Sequence, residues 1–394
     1  MTTLVFGAFD RHNFGDLLFP HIVADMLPDQ ELIFAGLLER DLRNVGGHHV
    51  RALAEALRDR PINIVHAGGE LLTCEAWQAA VMLLPAGEAE RAIANLAAHP
   101  QERQPWARSV LGMTALAPYS ISRNLFPHAA SIIYNGVGGV DLEHCTPAMH
   151  AEVIDNLRAA TAVSVRDQVT FAHFQHAGLS ASLIPDPAVM VAELFGETIR
   201  IRAHETELSH ILETFAQGYL AVQCSADFGD PDTLATLAAQ LDAVAIETGY
   251  GICFFRAGTA PWHDDLAIYQ RIAARMHTPS VQIFSSTNLW DICALIAYSR
   301  GYCGSSLHGR IVATAFALPH LSILHPRQQH CITKQAAYAA TWETAGPAST
   351  TGIYRLADSL SEVLQTNPAL LRKTAAELVD LYQRNTPLKM LAGN

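Results

Sequence analysis

The stretch TNLWDICALIAYSRGYCGSSLHGRIVATAFALP, Thr287 to Pro319, carries the fold in miniature. Asn288 stands where a helix N-cap belongs, Asp291 falls in the first turn, and Gly301 supplies the stop. A very short apolar strand follows, then a Gly-Ser-Ser turn, then a second apolar helix. A strand that ends in glycine and runs straight into a helix is the unit of a parallel α/β sheet. The same rhythm extends both ways. TLVFGAF, ELIFAGLL, INIVHAGG, ASIIYNGVGG and AVSVRD read as strands, with FGDLLFPHIVADML, HVRALAEALRD and MHAEVIDNLRAA as helices between them. GYLAVQCS, GICFFRAG, VQIFS and HLSIL continue the pattern in the C-terminal half. Strands this rich in Ile and Val are covered on both faces, as parallel sheets are.

The rhythm weakens over VAELFGETIRIRAHETELSH, roughly residues 190–212. A chain of 394 residues also exceeds one ordinary core. The reading is therefore an α/β protein of two doubly wound Rossmann-like domains. Residues 1–195 form the first, 196–212 a linker region, 213–365 the second, and 366–394 a C-terminal helix expected to pack back on the first. Ligands of such folds bind at the carboxyl ends of the strands, which predicts an interdomain cleft.

Composition narrows the function. Hydrophobic residues make up 50% and charged residues 16%, so the chain can bury large cores. A formal net charge of −12 argues against nucleic acid and anionic membrane surfaces as partners. The seven cysteines are odd in number and lack CxxC spacing, so neither a disulfide framework nor a zinc site is expected. The N-terminus MTTLVFGAFDRHNFGD has no signal-peptide pattern, and no apolar run is long enough to span a bilayer. These features predict a cytoplasmic protein without an integral membrane segment.

Five local patterns carry chemistry. In the opening stretch, Ser305, Ser306 and the backbone N–H groups at the helix start form an anion-binding nest, with Leu307, His308, Gly309 and Arg310 in the first turn. The positive end of the helix dipole disfavours imidazolium at His308 until an anion arrives; a bound phosphate would then make the ring a proton donor. In AVSVRDQVTF a strand ends at Arg166-Asp167, which aims a planar guanidinium at the ligand side of a parallel sheet. In GAFDRHNFGDLLF, Asn13 and Asp16 sit in the first β–α turn, Asp16 as a helix cap or as a base for a substrate hydroxyl. VHAGGELL and YNGVGG are glycine-ended strands that leave room for a ligand, with Glu70 as an acceptor for sugar hydroxyls. In SLIPDPAV, Asp186 is held rigidly between two prolines. Each pattern also has an ordinary structural reading, as a cap, a turn or a surface ion pair.

Their order along the chain resembles the polysaccharide pyruvyl transferase family: NFGDLL, then GVGG, then SVRD with its helix and PDPA, then SSLHGRIVATAFALP, over about residues 5–335. The resemblance implies a two-domain fold like that of the GT-B glycosyltransferases. It implies transfer of the pyruvyl unit of phosphoenolpyruvate onto a sugar as a cyclic ketal, with phosphate released. It matches Arg166 to an arginine that grips the donor, and His308 to a histidine that contacts the donor and acts as the acid. Many members carry arginine directly before the Leu-His pair; this chain has Ser306 there, with Arg310 two positions after His308. A further basic residue some twenty positions on corresponds to Arg327 or Lys334. No metal or redox cofactor is implied, phosphoenolpyruvate being a co-substrate. The acceptor is a saccharide, free or lipid-linked; a lipid-linked one would bring the enzyme to the inner face of the membrane. Two other readings share the layout: a GT-B glycosyltransferase or epimerase using a nucleotide sugar, and a carbohydrate-binding protein without catalysis.

Overall fold

The computed structural model describes residues 2–328, 330–343, 346–347 and 349–392. The chain divides into two compact units, Met1–Pro187 with Leu381–Asn394, and Ala188–Asp380. Among the described residues the first unit holds an eight-stranded sheet of β1 (Thr2–Phe6), β2 (Glu31–Gly36), β3 (Arg40–Asp41), β4 (His49–Ala52), β5 (Asn63–His66), β6 (Ser131–Val137), β7 (Ala162–Val165) and β8 (Ser182–Leu183). Its order is β3-β4-β2-β1-β5-β6-β7-β8, parallel except where β3 meets β4. Leu4, Phe6, Ile64, Ile132, Tyr134 and Val165 build the core and are almost wholly buried. Burying one such side chain contributes about 1.5–3 kcal/mol.

The second unit holds β9 (Tyr219–Gln223), β10 (Gly251–Phe254), β11 (Val281–Ile283), β12 (Gly301–Gly304), β13 (His320–Leu324) and β14 (Thr350–Gly352). These form one parallel sheet in the order β11-β10-β9-β12-β13-β14. Leu220, Val222, Ile252, Phe254, Cys303 and Leu321 fill its core. All seven cysteines are free thiols, and five are buried.

Three expectations change. Residues 196–212 are no linker: they lie in the helices Val191–Glu205 and Glu207–Thr214 of the second unit. The first of these buries only Val191, Ile199 and Ala203, so its charged faces mask its periodicity. It is tied to the helix Leu289–Ala297, where Arg202 Nε donates to Asp291 Oδ1 at 2.6 Å. HVRALAEALRD is not one helix either. Its first four residues are β4, which pairs with the edge of β2, and only then does a short helix Leu53–Ala56 begin. The spacing of Val50, Leu53 and Ala56 is helical, but open hydrogen-bonding groups on β2 recruit the segment. Finally, the boundary near residue 366 moves. The second unit extends to Asp380, inside the helix Pro368–Asn385, and only the residues from Leu381 on group with the first unit. There Tyr382 accepts a hydrogen bond from Asn135 Nδ2 at 2.9 Å.

Candidate active site

Each sheet reverses its winding once. In the first unit β1 lies between β2 and β5, so the switch falls between the carboxyl ends of β1 and β5. In the second unit β9 lies between β10 and β12, and the switch falls between β9 and β12. The connections diverge at such points and leave a crevice for ligand.

The crevice of the first unit is lined with ion pairs. Asn13 caps the helix Phe14–Met26, its Oδ1 accepting from Gly15 N at 3.1 Å. Asp16 is buried in the first turn of that helix, 3.9 Å from Arg11 Nη2. Arg11 Nη1 donates to Tyr119 Oη at 2.7 Å, and Tyr119 Oη donates to Asp10 Oδ1 at 2.8 Å. The other Asp10 oxygen accepts from Leu37 N at 2.6 Å. Burial raises the Asp10 carboxyl, partly offset by the Arg11 guanidinium. Opposite, Gly69 adopts φ +88°, which a side chain would strain, and its bare Cα lets Asp16 approach.

Arg166 follows β7 and is 1% exposed. Its Nη1 donates to Asp186 Oδ2 at 2.9 Å and its Nη2 to Glu70 Oε2 at 2.6 Å. Glu70 Oε1 accepts from Val140 N at 3.2 Å. Burial works against the Arg166 charge, but Glu70 and Asp186 outweigh it and hold the guanidinium above its ordinary value. Gly138 closes the other side, where a Cβ would overlap both Glu70 and the guanidinium. Next along the chain, Asp167 caps the helix Gln168–His176 by accepting from Thr170 N at 2.8 Å. The structure thus brings together Arg166, Glu70 and Asp186, three candidates far apart in sequence. It also corrects the role read for Arg166, which is no open cation but is paired with two carboxylates.

The crevice of the second unit is built from amides and hydroxyls. Ser306 caps the helix Leu307–Ala315, its Oγ accepting from Gly309 N at 3.2 Å, and its own N–H donates to Tyr302 Oη at 3.1 Å. Ser305 is held on every side. Its N–H meets Gln223 Oε1 at 3.0 Å, its Oγ accepts from Ser225 N at 3.0 Å, and its carbonyl accepts from Gln335 Nε2. The side chains of both serines build the turn. His308 follows in the first helical turn, 8% exposed, with Leu307 and Gly309 buried beside it.

Arg310 is a second correction. Its Nε donates to Glu343 Oε1 at 3.0 Å, its Nη2 pairs with Glu343 Oε2, and its Nη1 reaches Ser322 Oγ at 3.1 Å and Ser349 O at 2.7 Å. His320 Nε2 joins Glu343 Oε2 at 2.8 Å. Burial would raise the Glu343 carboxyl, but Arg310 and His320 hold it well below the usual range. On a helix, two positions apart means opposite faces, so Arg310 points into the unit rather than beside His308. Arg327 and Lys334 are both exposed. Lys334 opens the helix Lys334–Trp342, whose next residue, Gln335, bonds the Ser305 carbonyl. Arg327 lies on the turn after β13, its N–H meeting His325 Nδ1 at 3.2 Å.

The sequence reading missed Asp10, Arg11 and Tyr119 in the first unit and Gln223 and Asp264 in the second. Asp10 and Arg11 stand in the quoted β1 turn, and Asp264 follows β10, so strand-end position was an available signal for them. Tyr119 had none, because it arrives from an irregular segment. Among the described residues no group of three or more histidines, cysteines and carboxylates is arranged to hold a metal ion.

Two wound α/β units of this kind define the GT-B class. Solved structures with that fold align along nearly the whole chain. An S. aureus MnaA structure with UDP shares 8% identity, covers 95% of this chain and 90% of its own, with a TM-score of 0.56. The UDP-GlcNAc 2-epimerase of Neisseria meningitidis bound to UDP-GlcNAc shares 11%, covers 98% and 100%, with a TM-score of 0.55. That of Methanocaldococcus jannaschii shares 7%, covers 98% and 99%, with a TM-score of 0.53. No curated protein sequence matches the chain. Within this fold class the model of the polysaccharide pyruvyl transferase family matches residues 117–326, just over half of the chain. The protein belongs to that family, and the matched span contains Arg166, Asp186 and the whole turn from Ser305 to Arg310.

Proposed function

We propose that the protein transfers the pyruvyl unit of phosphoenolpyruvate to two hydroxyls of a saccharide, forming a cyclic ketal and releasing phosphate. One observation carries this reading: the family-matched helix bearing His308 begins at the switch point of the second unit, where its N-terminus favours an anion. The donor's phosphate docks against this helix end. Lys334 supplies the second cation, because Gln335 ties the start of its helix to the same turn, and among the described residues Arg327 has no such link.

His308 gives a proton to C3 of the enol as one sugar hydroxyl oxygen bonds to C2 and loses its own proton to solvent, and phosphate then leaves C2. The second hydroxyl then adds to C2, its proton passing to solvent, and the ketal closes. General acid–base groups of this kind are worth about 10²–10⁴-fold in rate. The helix dipole and Lys334 stabilise the charge on departing phosphate. The first unit takes the saccharide: Asp16 and Glu70 offer carboxylate acceptors to hydroxyls, and Arg166 acts by holding Glu70 and Asp186 in place. No step calls for a metal or redox cofactor.

No described helix is long and apolar enough to cross a membrane. The reading sets the reaction in the cytoplasm, with a lipid-linked acceptor met at the inner membrane face. The test is a pair of measurements. Phosphoenolpyruvate should raise the melting temperature where UDP and GDP do not, and phosphate release should require both phosphoenolpyruvate and a saccharide. Stabilisation by UDP alone would instead select nucleotide-sugar chemistry.

A further inference from the structure

Gln223 is the last residue of β9 and is 2% exposed. Its side-chain amide lies between two neighbours of fixed polarity. Nε2 donates to Asp264 Oδ1 at 2.7 Å, while Oε1 accepts at 3.0 Å from Ser305 N, an N–H shared with the Gln223 backbone carbonyl at 3.2 Å. The second Asp264 oxygen accepts from Ala257 N at 2.5 Å. A carboxylate only accepts and a backbone N–H only donates, so a single orientation of the Gln223 amide satisfies both ends. Asp264 sets that orientation. The loop that presents it is itself fastened, since Asp264 N donates to Gly258 O at 3.2 Å and Ala226 N to His263 O at 2.7 Å. The chain of bonds runs across the switch point, from the loop after β10 through the end of β9 to the turn after β12.

We propose that Asp264 is a positioning residue: through Gln223 it locks the Gly304–Ser306 turn and so aims the first turn of the helix that carries His308. The inference rests on the pyruvyl-transfer reading for its effect on rate, but the lock itself is a property of the fold. Burial pushes the Asp264 carboxyl up to about 7, against the donors from Ala257, Gln223 and Gly258. The titratable groups facing it are Tyr269 from the helix Leu266–Ala273, Cys224 beyond β9 and Tyr302 from β12. The phenols and the thiol are all raised by burial and stay neutral, so Asp264 is the group among them whose charge responds near neutral pH.

The test is an exchange of polarity. In Asp264→Asn the new amide must keep its oxygen toward Ala257 N–H, which turns its NH2 toward Gln223. The Gln223 amide then flips and sets its own NH2 against Ser305 N–H. The expected result is a kcat for phosphate release lower by about 10–100-fold, as for other groups that orient a reacting side chain. Hydrogen exchange at the Ser305 amide should become faster. Gln223→Glu places two carboxylates together; they share a proton at low pH, so activity should fall as pH rises and that proton is lost. The double variant Asp264→Asn/Gln223→Glu restores the donor–acceptor order from Ala257 N–H through positions 264 and 223 to Ser305 N–H. Its kcat should return to within about threefold of wild type, and its Ser305 exchange should slow again.

Wild-type kcat and Ser305 exchange in Asp264→Asn would overturn the proposal. So would a double variant that regains the melting temperature but neither kcat nor slow exchange. Wild-type protein that never releases phosphate from phosphoenolpyruvate would end the pyruvyl reading alone, because the exchange experiment reports the lock without turnover.

Discussion

The two crevices share a topology and differ in chemistry. The first unit gathers two charged groups at its strand ends, Asp10, Arg11 and Asp16 about Tyr119, and Arg166 between Glu70 and Asp186. The crevice of the second holds serines, a glutamine, a helix start and His308, while its strongest ion pair, Arg310 with Glu343, is turned inward. Paired carboxylates and guanidinium groups present fixed acceptors and donors with little net field, which suits neutral hydroxyls. A helix N-terminus presents positive potential without a counter-charge, which suits an anion. On the proposed reading the same β–α switch would serve opposite ligands, because the residues after the strands differ and the fold alone does not tell them apart.

The sharpest way to break this comparison is His308→Ala. Phosphate release should fall by about 10²–10⁴-fold while the melting temperature stays near that of wild type. An active variant removes the acid from the second crevice, and the division of labour with it.

Next come the two buried arginines, which should behave alike in stability and differ in function. Removing one partner of a buried pair costs about 3–5 kcal/mol, and urea denaturation should show this for both Arg166→Met and Arg310→Met. Only Arg166→Met should also raise KM for the saccharide; Arg310→Met should leave KM for phosphoenolpyruvate within about threefold. Arg310→Met should in addition flatten the acid limb of stability. The Glu343 carboxyl is held below its ordinary value of 4.5, so its contribution is present above that pH and is lost as pH falls below it. An Arg310→Met protein of full stability that bound phosphoenolpyruvate tenfold more weakly would return Arg310 to the donor site.

The smallest effect sharpens the comparison. Lys334→Ala should raise KM for phosphoenolpyruvate by about tenfold with stability unchanged, as one charge-assisted contact is lost from an exposed position. Arg327→Ala should change neither. The reverse outcome would move the second cation to the turn after β13.

Much of the fold was legible in the chain. Strand–glycine–helix order marked both sheets, and the cap read at Asn288 is the cap of its helix, whereas the cap offered at Asp16 is Asn13, with Asp16 in the first turn. Those signals are local, and local hydrogen bonds obey them. β4 was misread because a short segment of helical spacing lay against an open strand edge, and only pairing with β2 reveals that. The helix Val191–Glu205 was misread because its buried face is three residues wide.

By itself the sequence determined the α/β class, the family and the position of His308 at a helix start, because all of these follow from short-range order. Only the tertiary structure decided which charged groups are already paired. Arg166 meets Glu70 from 96 residues away, and Arg310 meets Glu343 from 33 away. Such encounters are set by how parallel strands cross over and stack. A Coulomb partner is chosen by proximity in space, and no spacing along the chain encodes that proximity.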